Sequence, residues 1–238
     1  MKLLVFQHID CEHPGSLRQL LAEDGIEWQA VNLHNGDAIP PLVQFDALWV
    51  MGGPMDVWDT DECPWLIPEK EAIHTWVRVL NKPYLGLCLG HQLLADALDG
   101  TCGPQVPAEV GIMDIELTEA GCSDPLFRGM SRRQRCLQWH GVQVSKAPSE
   151  AVVLAASEHC AIQAMRVGNQ AWSMQYHVEV EPDTVDNWGA IPTYQQALVA
   201  ALGPNGHAMM REHAASHMDE FLAGAQLLYR NFKSAASR

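Results

Sequence analysis

The sequence predicts an α/β fold with an open, mainly parallel central sheet, helices on both faces, a smaller antiparallel β portion and a helical C-terminus. Three observations support this prediction. Short buried strands alternate with amphipathic helices over roughly the first hundred residues, strand-like runs then follow one another directly, and helical spacing dominates from Pro182 onward. The chain has 238 residues, which is enough for one sizeable domain with an appendage.

Alternating strands and helices are predicted for the first half of the chain. The strands are short apolar runs at 3–9, 28–33, 45–51 and 84–87. The helices have apolar residues at helical spacing, and they lie at 15–24, at 65–80 and from Leu89 to just before Gly100. Because parallel strands need crossover connections, this alternation favours a mainly parallel sheet covered on both faces.

Successive strands are predicted for the second half, up to the helical C-terminus. They lie at 111–118, 136–144, 151–156, 161–167 and 170–176, with a short helical turn at 124–130. Short Gly, Pro, Ser or Asn segments separate them, which is typical of a β-rich part of the same domain. The segment 205–232 has apolar residues three or four positions apart, which predicts one long amphipathic helix.

Charge and cysteine content argue against several classes of function. The formal net charge of −14 disfavours a nucleic-acid backbone or an anionic membrane as the partner. Gln7 and His8 interrupt the apolar N-terminus too early for a signal peptide, and no apolar run is long enough to span a bilayer. The seven cysteines form no CxxC pair, a pattern typical of a reducing compartment. We therefore expect a cytoplasmic protein.

The most specific signal in the sequence is a cysteine framed by two glycines. Cys88 lies between the predicted strand at 84–87 and the next helix, with Gly86 two residues before it and Gly90 two residues after it. A tight strand-to-helix turn needs glycines where the backbone folds close to itself, and it presents its apex residue at the carboxyl edge of the sheet. The helix N-terminus there favours a thiolate. We predict that Cys88 is a nucleophile rather than a buried structural cysteine.

A cysteine nucleophile needs an acid or base, and that group needs a partner that orients it. His177 follows the predicted strand at 170–176, so it shares the sheet edge of Cys88 if the two strands are parallel neighbours. Glu179 comes two residues later and is close enough to accept the other imidazole N–H, which would fix the tautomer. We therefore expect His177 and Glu179 to act with Cys88.

The same chemistry needs N–H donors for an oxyanion. Gly52 and Gly53 follow the predicted strand at 45–51, and their backbone can approach a substrate with no side chain in the way. Leu89 follows the nucleophile directly, so its N–H is the second donor expected of such a turn.

Two groups of histidines have the spacing of partial metal sites. His8, Cys11 and His13 are close in sequence, and His213 and His217 are four residues apart on a predicted helix. Neither group comes with the further ligands that a zinc site needs. We expect surface or hydrogen-bonded core histidines, and we predict neither a metal site nor a cofactor.

Three motifs, in this order, resemble the class I, triad-type glutamine amidotransferase family: GGP at 52–54, GLCLGHQ at 86–92 and QYHVE at 175–179. The similarity is to the glutaminase domain of GMP synthetase and its stand-alone relatives, and it extends to AEVG at 108–111. It covers about residues 1–185 and implies one amidotransferase-like domain there. Residues 186–238 lie outside it, and we expect a helical C-terminal extension packed on the same domain.

The resemblance implies a triad of Cys88, His177 and Glu179, with the N–H groups of Gly53 and Leu89 as oxyanion donors. It also implies contacts with the substrate, which we assign to Gly52, Gln92, Trp139, His140 and Gly141.

One position departs from the family pattern. The family usually has proline between the histidine and the glutamate, where this chain has Val178. Proline restricts the backbone, so its loss would loosen the geometry of His177 and Glu179. Because the three triad residues are intact, we expect activity to survive.

The reaction that the resemblance implies is hydrolysis of the γ-amide of glutamine through a γ-glutamyl thioester on Cys88, with release of glutamate and ammonia. No P-loop or other nucleotide signature follows the domain, so an acceptor or synthetase subunit would have to bind in trans. If nothing receives the ammonia, the alternative is a γ-glutamyl peptidase or hydrolase acting on γ-glutamyl peptides or conjugates. An alternative of another class is a non-catalytic regulatory protein that uses the pocket only for binding.

Overall fold

The computed structural model describes residues 1–236 of the chain. Over these residues, nine strands join in one sheet: β1 (Lys2–Gln7), β2 (Glu27–Asn32), β3 (Ala47–Val50), β4 (Tyr84–Leu87), β5 (Thr101–Leu117), β6 (Arg133–Lys146), β7 (Ala151–Ala156), β8 (Ala164–Val167) and β9 (Ala171–Met174). The same part of the chain contains eight α-helices: α1 (Leu17–Glu23), α2 (Leu66–His74), α3 (Leu89–Ala97), α4 (Glu119–Ser123), α5 (Thr184–Gly189), α6 (Pro192–Leu202), α7 (Gly206–Ser216) and α8 (Met218–Ala236). None of the helices described is both long and apolar enough to cross a bilayer.

The sheet is mixed rather than mainly parallel. Its strand order is β2-β1-β3-β4-β9-β8-β7-β5-β6 over the described residues. The pairings from β2 to β9 are parallel, and those from β9 to β6 are antiparallel. The prediction of a mainly parallel sheet is therefore wrong. The strands from β6 to β9 are joined by the short segments 147–150, 157–163 and 168–170, which cannot contain the crossover that a parallel pair needs.

Helices cover both faces of the sheet, as predicted. Trp49 of β3 belongs to the buried cluster on one face, and the next residue, Val50, belongs to the cluster on the other face. The first cluster includes side chains of α1 and α8, and the second includes side chains of α2 and α3. Phe232 of α8 packs edge-on against Trp49 and Trp172, with ring centroids 5.8 and 6.0 Å apart. The last helix is thus part of the main core.

A third buried cluster joins the helices after β9 to the antiparallel part of the sheet. At its centre, Trp139 of β6 contacts Trp188 of α5 and Tyr194 of α6, with ring centroids 5.8 and 5.7 Å away. The extension predicted at 186–238 begins within α5, and its last two residues lie outside the described part of the chain. The boundary at residue 185 stays a prediction.

Two predicted helices are interrupted. The segment 205–232 is not one helix, because α7 ends and α8 begins on either side of His217. There the Ser216 hydroxyl donates to the carbonyl oxygen of His213 at 2.8 Å, and Nδ1 of His217 lies 2.9 Å from the same oxygen. These side chains satisfy a carbonyl that a continuing helix would have bonded itself. The helix predicted at 65–80 is α2 followed by a π-helical segment.

The strand predicted at 111–118 is the second half of a much longer strand. β5 begins at Thr101, well before the predicted start at 111, and it continues past Pro104. The register against β6 shifts between Pro104 and Glu109, so the irregular residues are absorbed without ending the pairing.

The topology places two strand ends side by side at one edge of the sheet. β4 and β9 are parallel neighbours, and Leu87 lies opposite Met174 at their carboxyl ends. Cys88 follows β4 directly, and His177 follows β9 after two intervening residues. The condition under which the sequence places His177 beside Cys88 is therefore met.

Candidate active site

Cys88 occupies a strained turn between β4 and α3. Its φ is +50° and its ψ is −103°, a conformation rare for a residue with a side chain. The turn is held by the Cys88 N–H, which donates to the carbonyl oxygen of Met174 at 2.9 Å. On the helix side, the N–H groups of His91 and Gln92 donate to the Cys88 carbonyl oxygen at 3.0 and 3.2 Å. This geometry presents the thiol at the edge of the sheet.

The two glycines of the motif are needed because the backbone segments nearly touch. A Cβ atom on Gly90 would lie 2.1 Å from the carbonyl oxygen of Val50, and one on Gly86 would lie 2.5 Å from the carbonyl oxygen of Gly90. Both distances are far below van der Waals contact. The G-x-C-x-G spacing therefore allows α3 to pack directly on β3 and β4.

His177 and Glu179 lie together behind the thiol. Nδ1 of His177 is 2.8 Å from Oε1 of Glu179, and each residue is only 3 % exposed. The His177 N–H donates to the carbonyl oxygen of Leu137 at 3.0 Å, which ties the residue to β6. The imidazole lies close enough to Cys88 for each group to influence the pKa of the other. The arrangement can move a proton between the thiol and the imidazole while the carboxylate holds the ring.

Val178 contributes a hydrogen bond that proline could not. Its N–H donates to Oε2 of Glu179 at 2.8 Å, while Oε1 of the same carboxylate faces His177. The Ser16 N–H donates to the backbone carbonyl oxygen of Glu179 at 3.0 Å. Glu179 is therefore held on both its backbone and its side chain, which opposes the loosening expected from the missing proline.

Burial has the largest influence on the pKa of the Cys88 thiol. It raises the pKa of Cys88, although the charge and hydrogen bond of His177 act in the opposite direction. Burial thus opposes the thiolate that the helix N-terminus was expected to favour. Burial also lowers the pKa of His177, but Glu179 and Cys88 outweigh it and raise that pKa well above its ordinary value. The imidazole is thus the group that takes the proton when the thiol gives it up.

The two proposed oxyanion donors are near the thiol and near each other. Gly53 lines the same cavity as Cys88, and Leu89 is the first residue of α3, whose N–H has no partner within the helix. Gly52 is placed differently from our prediction of a substrate contact. It is buried outside the cavity lining, and a Cβ there would lie 1.8 Å from Oε2 of Glu12. Its missing side chain makes room for that carboxylate.

Cys88 opens into a cavity of about 250 Å³. Four of the predicted substrate contacts line it, namely Gln92, Trp139, His140 and Gly141. The remaining wall comes from the loop after β3, the start of α6 and neighbouring parts of β5 and β6: Gly53, Pro54, Met55, Asp56, Trp58, Pro104, Val142, Thr193, Tyr194 and Ala197. The cavity therefore combines aromatic side chains with a few polar groups, as small-molecule sites do.

Hydrogen bonds fix the polar side chains that line this cavity. The Gln92 amide donates to Val142 O at 3.4 Å and to Oε1 of Gln175 at 3.3 Å. The Gln175 amide in turn donates to Sγ of Cys88 at 3.7 Å. His140 is anchored through Nε2, which lies 3.1 Å from Oε2 of Glu109. Gln175 is part of the QYHVE motif, yet sequence reasoning gave it no role.

Glu12 is a buried acidic residue that sequence reasoning missed. It is 1 % exposed and accepts a hydrogen bond from the Tyr194 hydroxyl of α6, while its Oε2 has no hydrogen-bond partner among the described residues. Burial raises the pKa of Glu12, and the charge of His177 acts in the opposite direction. One signal was available: Glu12 lies shortly after β1, and so at the same sheet edge as Cys88.

Glu12, His177 and Glu179 have ligand atoms within 4.8 Å of one another, which is the spacing of a metal site. Among the described residues, this is the one set of three or more His, Cys, Asp or Glu side chains close enough to share a metal ion. His177 and Glu179 are already bonded to each other through Nδ1 and Oε1, however, and the thiol engages the same imidazole. The donor set therefore suits proton transfer better than cation binding.

Comparison with known proteins identifies the family of the chain. The model of the family described as glutamine amidotransferase class-I matches residues 8–188. The chain is 32 % identical over 209 residues to the glutamine amidotransferase-like protein YfeJ of Salmonella typhimurium, covering 85 % of each chain. It is 30 % identical over 172 residues to a glutamine-hydrolysing GMP synthase subunit of Sulfolobus acidocaldarius, covering 70 % of this chain and 86 % of that one.

Solved structures share the fold at lower identity. A glutamine amidotransferase from Thermotoga maritima superposes with a TM-score of 0.87 at 23 % identity, covering 100 % of this chain and 99 % of that one. A glutamine amidotransferase from Methylobacillus flagellatus gives a TM-score of 0.84 at 24 % identity, with 100 % and 96 % covered. At these identities the likeness shows the fold alone.

Proposed function

The chain belongs to the class-I glutamine amidotransferase family, and we propose that it is an enzyme that hydrolyses the γ-amide of glutamine through a thioester on Cys88. The observation that carries the proposal is the position of Cys88, which lies at a strained strand-to-helix turn beside the strand end that leads to the buried His177–Glu179 pair. A nucleophile, an acid or base and its orienting carboxylate in contact are the requirements of acyl transfer.

In the first half of the proposed reaction, the Cys88 sulfur attacks the γ-carbonyl carbon, and the thiol proton goes to His177. The negative charge that develops on the carbonyl oxygen is stabilised by the N–H groups of Gly53 and Leu89. When the C–N bond breaks, His177 gives its proton to the departing nitrogen, which leaves as ammonia. The raised pKa of His177 supports this role, because a more basic ring takes up the thiol proton and holds it until the leaving nitrogen needs it.

In the second half, His177 takes a proton from water, and the resulting hydroxide attacks the γ-glutamyl thioester. The second tetrahedral intermediate uses the same two N–H donors. It collapses with release of glutamate, and the proton on His177 returns to the Cys88 sulfur. Glu179 holds the ring through its Nδ1–H throughout. Gln92 and His140 bind and orient the glutamyl group at the cavity wall, and Gln175 behind them holds the Gln92 amide.

Two more specific functions differ in whether a partner protein receives the ammonia. The relative from Sulfolobus acidocaldarius is named as one subunit of a synthase, which supports a partner that would use the ammonia in trans. The cavity supports a second candidate, hydrolysis of γ-glutamyl peptides or conjugates. Its aromatic wall at Trp58, Trp139 and Tyr194 offers a surface for a leaving group larger than ammonia.

The test is steady-state hydrolysis of free glutamine, γ-glutamyl dipeptides and glutathione conjugates, with glutamate and ammonia quantified separately. We expect turnover that disappears in Cys88→Ala and a γ-glutamyl adduct on the wild-type enzyme that can be trapped and located at Cys88 by mass spectrometry. Glutamate release without ammonia, from peptides only, would favour the peptidase. Unchanged hydrolysis in Cys88→Ala would overturn the assignment, and binding without turnover of any substrate would favour a non-catalytic role.

A further inference from the structure

His8 is a buried histidine that the proposed reaction does not use directly. It follows β1 and is 1 % exposed. Its Nδ1 lies 2.8 Å from the carbonyl oxygen of Gly52, and its Nε2 lies 2.9 Å from Oε1 of Glu69. Glu69, in the first turn of α2, is fully buried. A buried charged residue of this kind needs a partner, and His8 is the partner that the fold provides.

The group that faces Nδ1 of His8 shows that this ring nitrogen carries a proton. A carbonyl oxygen can only accept a hydrogen bond, so a separation of 2.8 Å requires that Nδ1 carry a proton and donate it to Gly52 O. This holds whether the proton between Nε2 and Glu69 rests on the ring or on the carboxylate. Burial lowers the pKa of His8, but the carboxylate of Glu69 outweighs it, so the net pKa is raised. Glu12 is the other charge that favours the protonated ring.

The Gly52 carbonyl and the Gly53 N–H belong to the same peptide unit. In a planar trans peptide these two groups point in opposite directions. A carbonyl fixed toward His8 on the buried side therefore turns the N–H away from His8, and Gly53 lines the cavity that contains Cys88. Within residues 1–236, the Gly53 N–H has no hydrogen-bond acceptor. It is thus a free donor beside the thiol.

Among the described residues, no other hydrogen bond holds this peptide in its orientation. Glycines at 52 and 53 rotate more freely than other residues, and a flip would turn a carbonyl oxygen toward the developing negative charge. The preceding residue is tethered, because the Met51 N–H donates to Phe6 O at 3.1 Å, but that bond leaves the next peptide unconstrained. A hydrogen bond to the carbonyl also polarises the amide, which makes its N–H a better donor.

We propose that the buried His8–Glu69 pair is a positioning device that holds the Gly52–Gly53 peptide with its N–H aimed at the oxyanion. The proposal rests on the proposed function, because it gives a role to a donor of that reaction. His8 does not itself line the cavity, so it acts through the peptide.

Two matched variants test the two hydrogen bonds of the His8 imidazole separately. The side-chain amide of Asn reaches the position of Nδ1, and that of Gln reaches the position of Nε2. Both are made with Glu69→Gln, so that neither leaves a buried carboxylate unpaired. His8→Asn keeps the donor to Gly52 O, whereas His8→Gln removes it.

We expect the variant with His8→Gln to lose about 10- to 100-fold in kcat with KM changed less than about threefold, since removing an oxyanion donor outright costs about 10²- to 10³-fold. The variant with His8→Asn should stay within about fivefold of wild type. Alkylation of Cys88 by iodoacetamide should be equal in both, because that displacement forms no oxyanion. Equal kcat values for the two variants, with both folded by thermal unfolding, would overturn the proposal.

A readout independent of turnover separates this proposal from the proposed function. The amide resonance of Gly53, followed by ¹H–¹⁵N NMR, should shift in the variant with His8→Gln and stay near the wild-type position in the one with His8→Asn. If the wild-type protein hydrolyses no γ-glutamyl substrate, the proposed function fails, and the NMR comparison still decides whether His8 sets the peptide. An unshifted Gly53 resonance in both variants would overturn the positioning role.

Discussion

Val178→Pro is expected to weaken both the fold and the reaction, even though the family usually has proline at this position. The Val178 N–H donates at 2.8 Å to the Glu179 carboxylate, which is 3 % exposed, and proline has no N–H to donate. A hydrogen bond to a charged group contributes about 1.5–3 kcal/mol, whereas a compatible proline gains back about 0.4–1 kcal/mol from the unfolded chain. The net loss is about 1–2 kcal/mol, or about 2–8 °C in Tm for a chain of this size.

The effect on catalysis follows from the same carboxylate. Oε2 loses its partner, while Oε1 still faces Nδ1 of His177, so Glu179 keeps one of its two side-chain contacts. The imidazole then has more freedom relative to Cys88. We expect kcat for glutamine to fall about tenfold, since a misplaced catalytic group costs up to about 10²-fold.

Val178→Ala is the matched control, because it keeps the N–H and removes only the side chain that packs on the core. Tm measured by calorimetry and kcat measured by glutamate release should both be lower in the proline variant than in the alanine variant. If the two variants agree in Tm and in kcat, the N–H of residue 178 contributes nothing and the reasoning is refuted.

The pH dependence, the buried acid and the tight turn allow further tests. Alkylation of Cys88 by iodoacetamide should rise about tenfold from pH 7 to pH 8, because burial raises its pKa and only the thiolate reacts; a rate already constant at pH 7 would contradict this. Glu12→Gln should raise Tm more at pH 8 than at pH 4. Burial raises the pKa of Glu12 in the folded protein, so the carboxylate destabilises the fold only at pH values above the pKa of Glu12 in the unfolded chain. A gain in Tm that does not depend on pH would contradict this reasoning. Gly90→Ala should cost about 1–3 kcal/mol in urea unfolding through the clash with Val50, whereas Gly224→Ala on α8, where a Cβ meets open space, should not destabilise.

The local geometry of the site was predictable from the sequence, because it depends on residues that are close in the chain. Gly86 and Gly90 indicate a turn that only glycine permits, and the two-residue spacing of His177 and Glu179 lets one side chain reach the other. The family followed from three short motifs, and the α/β fold followed from the alternation of apolar strands and amphipathic helices. Each of these inferences needed only short-range information.

Sheet pairing was less predictable, because apolar periodicity does not tell which strands become neighbours. The runs that became β7, β8 and β9 were recognised, but nothing in them shows that β9 would join β4 while β8 turns back beside it. The long helix predicted at 205–232 failed for a similar reason. The apolar spacing continues across His217, and only the hydrogen bonds to His213 O mark the break.

Long-range proximity also explains why Glu12 and Tyr194 were missed, and it bears on how the site is built. Tyr194 lies in α6, yet it lines the cavity and donates to Glu12. Trp188 of α5 packs its ring 4.4 Å from that of His177. Burial by these residues is part of what raises the pKa of the thiol, so helices beyond residue 185 shape the protonation of a triad that lies entirely before them. The extension predicted from the sequence is therefore better described as a wall of the candidate active site than as an appendage to it.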